Sequence, residues 1–285
     1  MKKHSRRPAH IHLPHSATGF VTKKHLGQNF LTDPNVKRKI VTACALKPTD
    51  TVLEIGPGAG VLTREIAPLV RRLFAVEKDD KLHTELSREF TGSNVTVIHA
   101  DFLEFRLEEL PDDLMIIGNL PYYISTPIIE KVLAHSKKYS VFFATLQYEL
   151  GQRLIAKPGT KQYGSFTCFV EFYADAKILF RIKNTAFRPV PRVHSCFFKF
   201  LPHEKFQLAS DQKQRLFTAI QQAFQSRRKT LPNALAGLGE QDKFLAILKE
   251  LNIDPRARPE NLTLDDYRQI ILRMGEENQG FPGTP

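Results

Sequence analysis

Three carboxylates beside a glycine-rich loop carry the first chemical signal in this 285-residue chain. The loop is Gly56-Pro57-Gly58-Ala59-Gly60. Glycines let a backbone approach a ligand closely and leave amide N–H groups free to point at it. The spacing is Gly-x-Gly-x-Gly and not the Gly-x-Gly-x-x-Gly of dinucleotide sites. Glu54 lies just before the loop, where an acid suits a cationic ligand and suits a pyrophosphate badly. Glu77 comes twenty-one residues after Gly56, in position to accept both hydroxyls of a ribose. Asp101 is placed to take an adenine amine, with Phe102 packing on the ring. Read alone, Glu77 and Asp101 are of the kind more often found as exposed turn acids. Their joint placement after three successive apolar runs points to a ligand that is both nucleoside and cation, such as S-adenosylmethionine. A second signal is Gly118-Asn119-Leu120-Pro121-Tyr122-Tyr123, which sets an amide, backbone carbonyls and an aromatic ring side by side.

These residues need strands to carry them. Thr51-Val52-Leu53-Glu54-Ile55, Leu73-Phe74-Ala75-Val76, Val95-Thr96-Val97-Ile98 and Leu114-Met115-Ile116-Ile117 are short apolar runs of buried-strand type. Pro121 breaks the fourth. Helical patterns alternate with them. Asp33-Pro34 reads as an N-cap followed by proline at the first helical position, with Val36, Ile40 and Val41 beyond. Leu62, Ile66 and Leu69 form one face of a helix after the glycine loop, ended or kinked by Pro68. Asp79 caps a helix with Leu82, Leu86 and Phe90 inward, and Ser125-Thr126-Pro127 starts another. A fifth strand over 141–146 leads into a helix near Tyr148, and Lys161-Gln162-Tyr163-Gly164 reads as a basic loop. Alternation over 178–182 and 196–200 predicts two antiparallel edge strands. Between them Phe187 to Ser195 reads as a loop stiffened by Pro189 and Pro191, bearing Arg188 and Arg192. Ligands of open α/β sheets bind outside the carboxyl ends of the strands, where all of these candidate residues fall.

After about residue 205 the pattern is helical. Apolar faces run through Leu216, Phe217, Ile220, Ala223 and Phe224, then Phe244, Ile247, Leu248 and Leu251, then Tyr267, Ile270, Ile271 and Met274. Thr263 and Asp266 form a capping box before the third. The expected organisation is a basic arm over 1–23, an α/β domain over 24–204, a helical domain over 205–275 and a tail over 276–285.

The chain carries a formal net charge of +11, unevenly spread. Residues 1–25 hold six Lys/Arg and no acid, and residues 181–231 hold eleven Lys/Arg against Glu204 and Asp211. Such clustering fits a nucleic-acid partner. Cys44, Cys168 and Cys196 are odd in number and lack ligand spacing, which predicts reduced thiols, a cytoplasmic home and no metal site. The histidines of the arm are irregularly spaced, as in a solvated tail. No apolar run reaches membrane-spanning length. The acid-poor N-terminus shares one feature with transit peptides, so an organellar home stays open, although five histidines and few serines argue against it.

Asn119-Leu120-Pro121-Tyr122 resembles the (Asp/Asn)-Pro-Pro-(Tyr/Phe) pattern of enzymes that methylate amino nitrogens conjugated to a ring. The whole of 24–275 resembles the small-subunit ribosomal RNA adenine dimethyltransferases, the kasugamycin-resistance methyltransferases. The matching stretches are 27–31, 54–60, Glu77, Asp101, 119–125, 158–164, 187–195 and Arg227-Arg228-Lys229-Thr230-Leu231. The related macrolide-resistance methyltransferases of large-subunit RNA share the first half. The loop at 158–164 and the run at 227–231 favour the small-subunit group. Departures are Tyr148 where lysine is usual, His194 where Asp or Asn is usual, and Pro232 where a basic residue is common.

The resemblance implies a Rossmann-like α/β sheet of seven strands flanked by helices, plus a small all-α C-terminal domain. It implies S-adenosylmethionine held along Gly56, Glu77, Asp101 and Asn119, with Asn29 and Leu31 closing over it. It implies catalysis by Asn119, Leu120, Pro121 and Tyr122, with Tyr122 and Phe187 stacking on the two faces of a flipped adenine. Arg188, Arg192, Arg227, Arg228 and Lys229 are the expected RNA contacts. The expected substrate is small-subunit rRNA or its pre-30S particle, bound by a monomer. The alternatives are the large-subunit enzyme, or an RNA-binding assembly factor that kept the fold and lost the chemistry.

Overall fold

The computed structural model describes residues 29–236 and 241–276. The basic arm, the first part of the 27–31 motif with Gly27 and Gln28, and the C-terminal tail lie outside the described residues.

Seven strands form one sheet. In chain order, β1 is Phe30–Leu31, β2 Thr51–Ile55, β3 Arg72–Glu77, β4 Val95–His99, β5 Leu114–Asn119, β6 Tyr139–Gln147, β7 Ala174–Ile182, β8 Phe187–Arg188 and β9 Ser195–Pro202. The sheet order is β4-β3-β2-β5-β6-β9-β7, while β1 and β8 pair separately. Strands β2 to β6 run parallel, and β9 runs antiparallel to both β6 and β7. The strand order therefore reverses between β2 and β5, which is the switch point where an open sheet leaves a crevice.

Both faces of the sheet are covered, so its central strands are mostly apolar. Alternate side chains go to opposite faces. Leu53, Ile116 and Phe142 join one apolar cluster, while Val52, Ile117 and Phe143 join a second on the other side. The covering helices are α1 (Pro34–Cys44), α2 (Thr63–Ile66), α3 (Asp80–Glu89), α4 (Ser125–Ala134), α5 (Tyr148–Leu154) and α6 (Ser165–Tyr173). Asp33 and Asp79 cap α1 and α3, each through a side-chain oxygen that accepts from two backbone amides. The helix expected after the glycine loop is a single turn, α2, followed at Pro68 by a 3-10 turn that leaves Leu69 exposed. Proline removes an amide donor and clashes with the preceding turn, which accounts for the break.

The remaining helices are α7 (Ser210–Gln225), α8 (Leu231–Ala234), α9 (Gln241–Glu250) and α10 (Leu264–Glu276). Thr263 and Asp266 exchange hydrogen bonds of 2.8 and 3.1 Å at the start of α10, as the capping box requires. These helices pack on the rest of the chain through α6, which sequence patterning missed. Its stretch Ser165-Phe166-Thr167-Cys168-Phe169-Val170 is apolar on nearly every side, so no polar stripe marks it as helical. Phe169 and Phe172 meet Phe217 of α7 with ring centroids 5.2 and 5.1 Å apart. Tyr163, read as part of a basic loop, is instead wholly buried, its hydroxyl 3.1 Å from Cys168 Sγ. The three cysteines are buried and unbridged, and burial pushes each thiol up to about 12. No helix among the described residues is long and apolar enough to cross a membrane.

Candidate active site

A cleft opens at the carboxyl ends of β2, β3 and β5 and takes in the residues after β4. Gly56, Glu54, Glu77, Asp101, Asn119 and Tyr122 all line it, with Asn29 and Leu31 at one lip. Parallel pairing of β2 with β3 and β5 is what brings residues so far apart in sequence to one rim.

The glycine loop is shaped as a cradle. Gly56 and Gly58 have φ of +65° and +57°, a region costly for side-chain-bearing residues. A Cβ on Gly56 would meet nothing within 4 Å, because it would project into open cleft, whereas one on Gly58 would sit 3.0 Å from the Phe30 ring. The Gly58 amide donates to Glu77 Oε2 at 2.9 Å, and the Asp79 amide donates to Oε1 at 2.8 Å. Glu77 is thus fixed in rotamer before any ligand arrives, and each oxygen keeps a second lone pair. Burial raises its pKa, opposed by these two backbone donors.

Glu54 is 2% exposed at the floor of the cleft. The Thr63 hydroxyl, brought round by the single turn of α2, donates to its Oε2 at 2.7 Å. Burial pushes this carboxyl up to about 7, with Thr63 pulling it down and the nearby Glu77 adding to the rise. Asp101 differs. Burial pushes it up, but the Lys78 ammonium at 2.6 Å and the Leu103 amide at 2.9 Å outweigh that and hold it below its ordinary value. Lys78 was not singled out in the sequence. Only the pairing of β3 with β4 shows that the residue after Glu77 reaches Asp101.

At the end of β5, the Asn119 Nδ2 donates to the Asn29 carbonyl at 3.1 Å. A carbonyl can only accept, so this bond fixes the amide's orientation and leaves Oδ1 as an acceptor. The Pro121 carbonyl is taken by the Ile124 amide and the Ser125 hydroxyl, at 3.2 and 3.0 Å. Among the described residues no donor meets the Leu120 carbonyl. The Tyr122 hydroxyl shares a 2.5 Å hydrogen bond with Ser195 Oγ at the start of β9, which anchors the ring across the cleft mouth. Ser195 closes the 187–195 stretch noted in the sequence, but its pairing with Tyr122, 73 positions away, appears only in the fold. Tyr123 stands 57% exposed on the same rim.

Phe187 does not join them. The expected second stacking face is 0% exposed and belongs to the apolar cluster with Leu31 and Phe197. The reason is β8: Phe187 pairs with Leu31, and Arg188 with Phe30, in a two-residue ladder. That ladder turns the Phe187 ring into the core and Arg188 outward. Arg192 is exposed on the following loop.

The expected RNA contacts of the helical region divide in two. Arg227 is tied down, with Nη1 donating to the Lys161 carbonyl at 3.0 Å and Nε 3.7 Å from Glu260. Arg228 and Lys229 are exposed in the turn after α7. Among the described residues no group of three or more His, Cys, Asp or Glu side chains is placed to hold a metal.

Residues 19–276 match the family model described as ribosomal RNA adenine dimethylase. Relatives include the ribosomal RNA small subunit methyltransferase A of Geobacillus kaustophilus, 37% identical over 88% of this chain and 90% of that protein. The protein of the same name from Chlamydia trachomatis is 37% identical over 87% of this chain and 91% of its own. Among solved structures, a dimethyladenosine transferase from Plasmodium falciparum superposes with a TM-score of 0.78, at 24% identity over 87% of this chain and 98% of that one. The 23S rRNA methyltransferase ErmE gives 0.67, at 23% identity over 87% and 100%. At these identities the two structures speak for the fold, a Rossmann-like methyltransferase sheet.

Proposed function

The chain belongs to the ribosomal RNA adenine dimethylase family, and from that premise we propose that it dimethylates the exocyclic amines of two adjacent adenosines in the 3′-terminal hairpin of small-subunit rRNA. The observation that carries the chemical part is the locked amide of Asn119. Its nitrogen donates to the Asn29 carbonyl, so its oxygen is held as an acceptor beside the carbonyl of Leu120, which no donor meets among the described residues.

An adenine amine is a poor nucleophile because its lone pair is delocalised into the ring. Asn119 Oδ1 and the Leu120 carbonyl accept its two N–H groups, which draws the nitrogen towards tetrahedral geometry and frees the lone pair. Tyr122, held by Ser195, offers one stacking face to the base once it has left its helix. These groups act by orientation and fixed dipoles, not by removing a proton before attack. The cleft fits S-adenosylmethionine, with open space over Gly56, a prefixed Glu77 for the ribose, Asp101 for the adenine and Glu54 for a cationic group. That cofactor supplies an electrophilic methyl on sulfonium. The amine's surplus proton then leaves to solvent. Substrate in the ribosome's compartment and action as a monomer complete the reading.

The decisive experiment incubates the protein with unmethylated small and large ribosomal subunits and labelled S-adenosylmethionine, then maps the label. Two adjacent dimethylated adenosines near the small-subunit 3′ end are expected. Label confined to large-subunit RNA would transfer the chain to the macrolide-resistance reading.

Glu54 gives the site a pH signature. Its folded-state pKa of about 7 lies above the ordinary 4.5, so the folded protein binds the extra proton between those values. That contribution to stability is present at low pH and is lost as pH rises from 4.5 through 7. A cation beside Glu54 favours the ionised form, so S-adenosylmethionine affinity should rise with pH up to about 7 and then level. Calorimetry in buffers of different ionisation enthalpy should show proton release below that pH, and Glu54→Gln should remove both effects. A Glu54→Gln protein with the wild-type pH profile would put Glu54 away from the cation.

Arg228 and Lys229 are the exposed members of the basic run. Replacing both by alanine should flatten the log–log salt dependence of RNA binding by about 1.4–1.8, the release expected for two phosphate contacts. Cofactor affinity should not move. An unaltered slope in a filter-binding titration would turn this corner away from RNA.

A further inference from the structure

The segment between β8 and β9 carries its large apolar side chains exposed. Val190 is 49% exposed and Val193 42%, two of the six large apolar side chains so exposed among the described residues. Arg188, Pro189 and Arg192 beside them are also exposed. The segment's backbone is tied at Pro191 and His194. Asn184 Nδ2 donates to the Pro191 carbonyl at 3.0 Å, and the Asn184 amide meets His194 Nδ1 at 3.2 Å. The Tyr148 amide donates to the His194 carbonyl at 2.9 Å. The segment is braced at both ends by the cleft itself, through the β1–β8 ladder at one side and Ser195–Tyr122 at the other. Two prolines restrict its backbone further.

A base that leaves its stack leaves a gap, and unstacking a step costs a few kcal/mol. Proteins that hold nucleic acid open fill such gaps with apolar side chains or proline. Stacking on Tyr122 recovers part of the cost on the side of the extruded base. The Phe187 ring, sealed in the core, does not recover the rest. The braced tip has the required properties: apolar ends, low conformational entropy to lose, and flanking guanidinium groups for the phosphates on either side.

We propose that Val190 and Val193, carried on this proline-braced tip, are the wedge that enters the RNA helix and occupies the space vacated by the target adenosine. The proposal rests on the adenine-methylation reading and adds the device that holds the RNA open. Arg188 and Arg192 contribute charge, which draws the tip to the backbone, while the valines act only after the base has moved. Wedge action therefore predicts a defect in base extrusion, not merely in affinity.

The test uses the full chain and an RNA hairpin carrying 2-aminopurine at the target position, with an otherwise identical single-stranded RNA for comparison. Both valines are exposed, so V190S/V193S should fold, and its melting temperature is measured alongside. On the hairpin, the fluorescence rise that reports extrusion should fall by about 5-fold or more, and kcat/KM for methylation of the adenosine version about 10-fold, the order set by unstacking. On the single strand, where little stacking has to be broken, both should stay near wild type. Equal extrusion by wild type and variant would overturn the wedge. So would an equal loss on hairpin and single strand, which would mark the valines as a general contact, and so would a wild-type protein that gives no extrusion signal. Wild-type protein that extrudes the base but transfers no methyl would overturn the proposed function and leave the wedge standing.

Discussion

Asn119→Ala is expected to lower single-turnover methylation by about 10²–10³-fold, the usual consequence of removing one preorganised polar partner of a transition state. The size follows from where the interaction is felt. In the ground state the adenine amine is planar and gains little from an acceptor beside it. As the methyl arrives the nitrogen becomes positive, and an oxygen already fixed by the Nδ2–Asn29 bond stabilises it without reorganising. RNA and cofactor affinities should change little, because phosphate contacts and the glycine loop supply them. The same bond also ties the lip of the cleft to β5, so a purely architectural role predicts something else. Under that role Asn119→Ala would lower the melting temperature and leave chemistry by the folded protein near wild type. Measuring melting and single-turnover rate on one preparation separates the two, and the second pattern would remove Asn119 from catalysis.

The second large effect is on stability. Phe187→Ala deletes a wholly buried ring from the cluster that holds Leu31 and Phe197. Truncations of this kind cost about 3–5 kcal/mol, through lost apolar transfer and the cavity left behind. In a chain of this size that is a fall in melting temperature on the order of 10 °C. Phe187→Leu should recover much of it, as a change that keeps most of the volume. Below the transition the alanine variant should still capture and methylate RNA, in contrast to Tyr122→Ala, which removes a stacking face worth about 1–3 kcal/mol. Unchanged melting with collapsed methylation would show that the Phe187 ring reaches the adenine after all, as the sequence resemblance implies.

The contrast between these two residues shows what a linear reading can reach. Strands β2 to β5 were legible because each is a short apolar run leading to a glycine, an acid or Asn119, and strand order alone then gathers their tips. Caps at Asp33, Asp79 and Thr263 were legible because the hydrogen bonds span two or three residues. What escaped depends on distant pairing. The β1–β8 ladder joins two residues to two others 156 to 158 positions away, too short to leave a periodic trace, yet it decides which way Phe187 points. Helix α6 escaped because burial on all sides erases the amphipathic stripe. Thr63, Lys78 and Ser195 escaped as partners of Glu54, Asp101 and Tyr122 because a hydroxyl or ammonium that supports a site has no signature of its own.

The buried thiols have a practical consequence. At neutral pH a thiol held near 12 is almost wholly unionised, and the thiolate is the reactive form. Cys44, Cys168 and Cys196 are therefore silent towards maleimides and disulfide reagents while the protein is folded. A single cysteine introduced at Val190 or at Arg228 would be the one labelled position among the described residues, with no need for a cysteine-free background. Fluorophores or photo-crosslinkers placed there would report how each surface approaches a ribosomal particle in real time. Loss of selectivity on warming would double as a gauge of core opening.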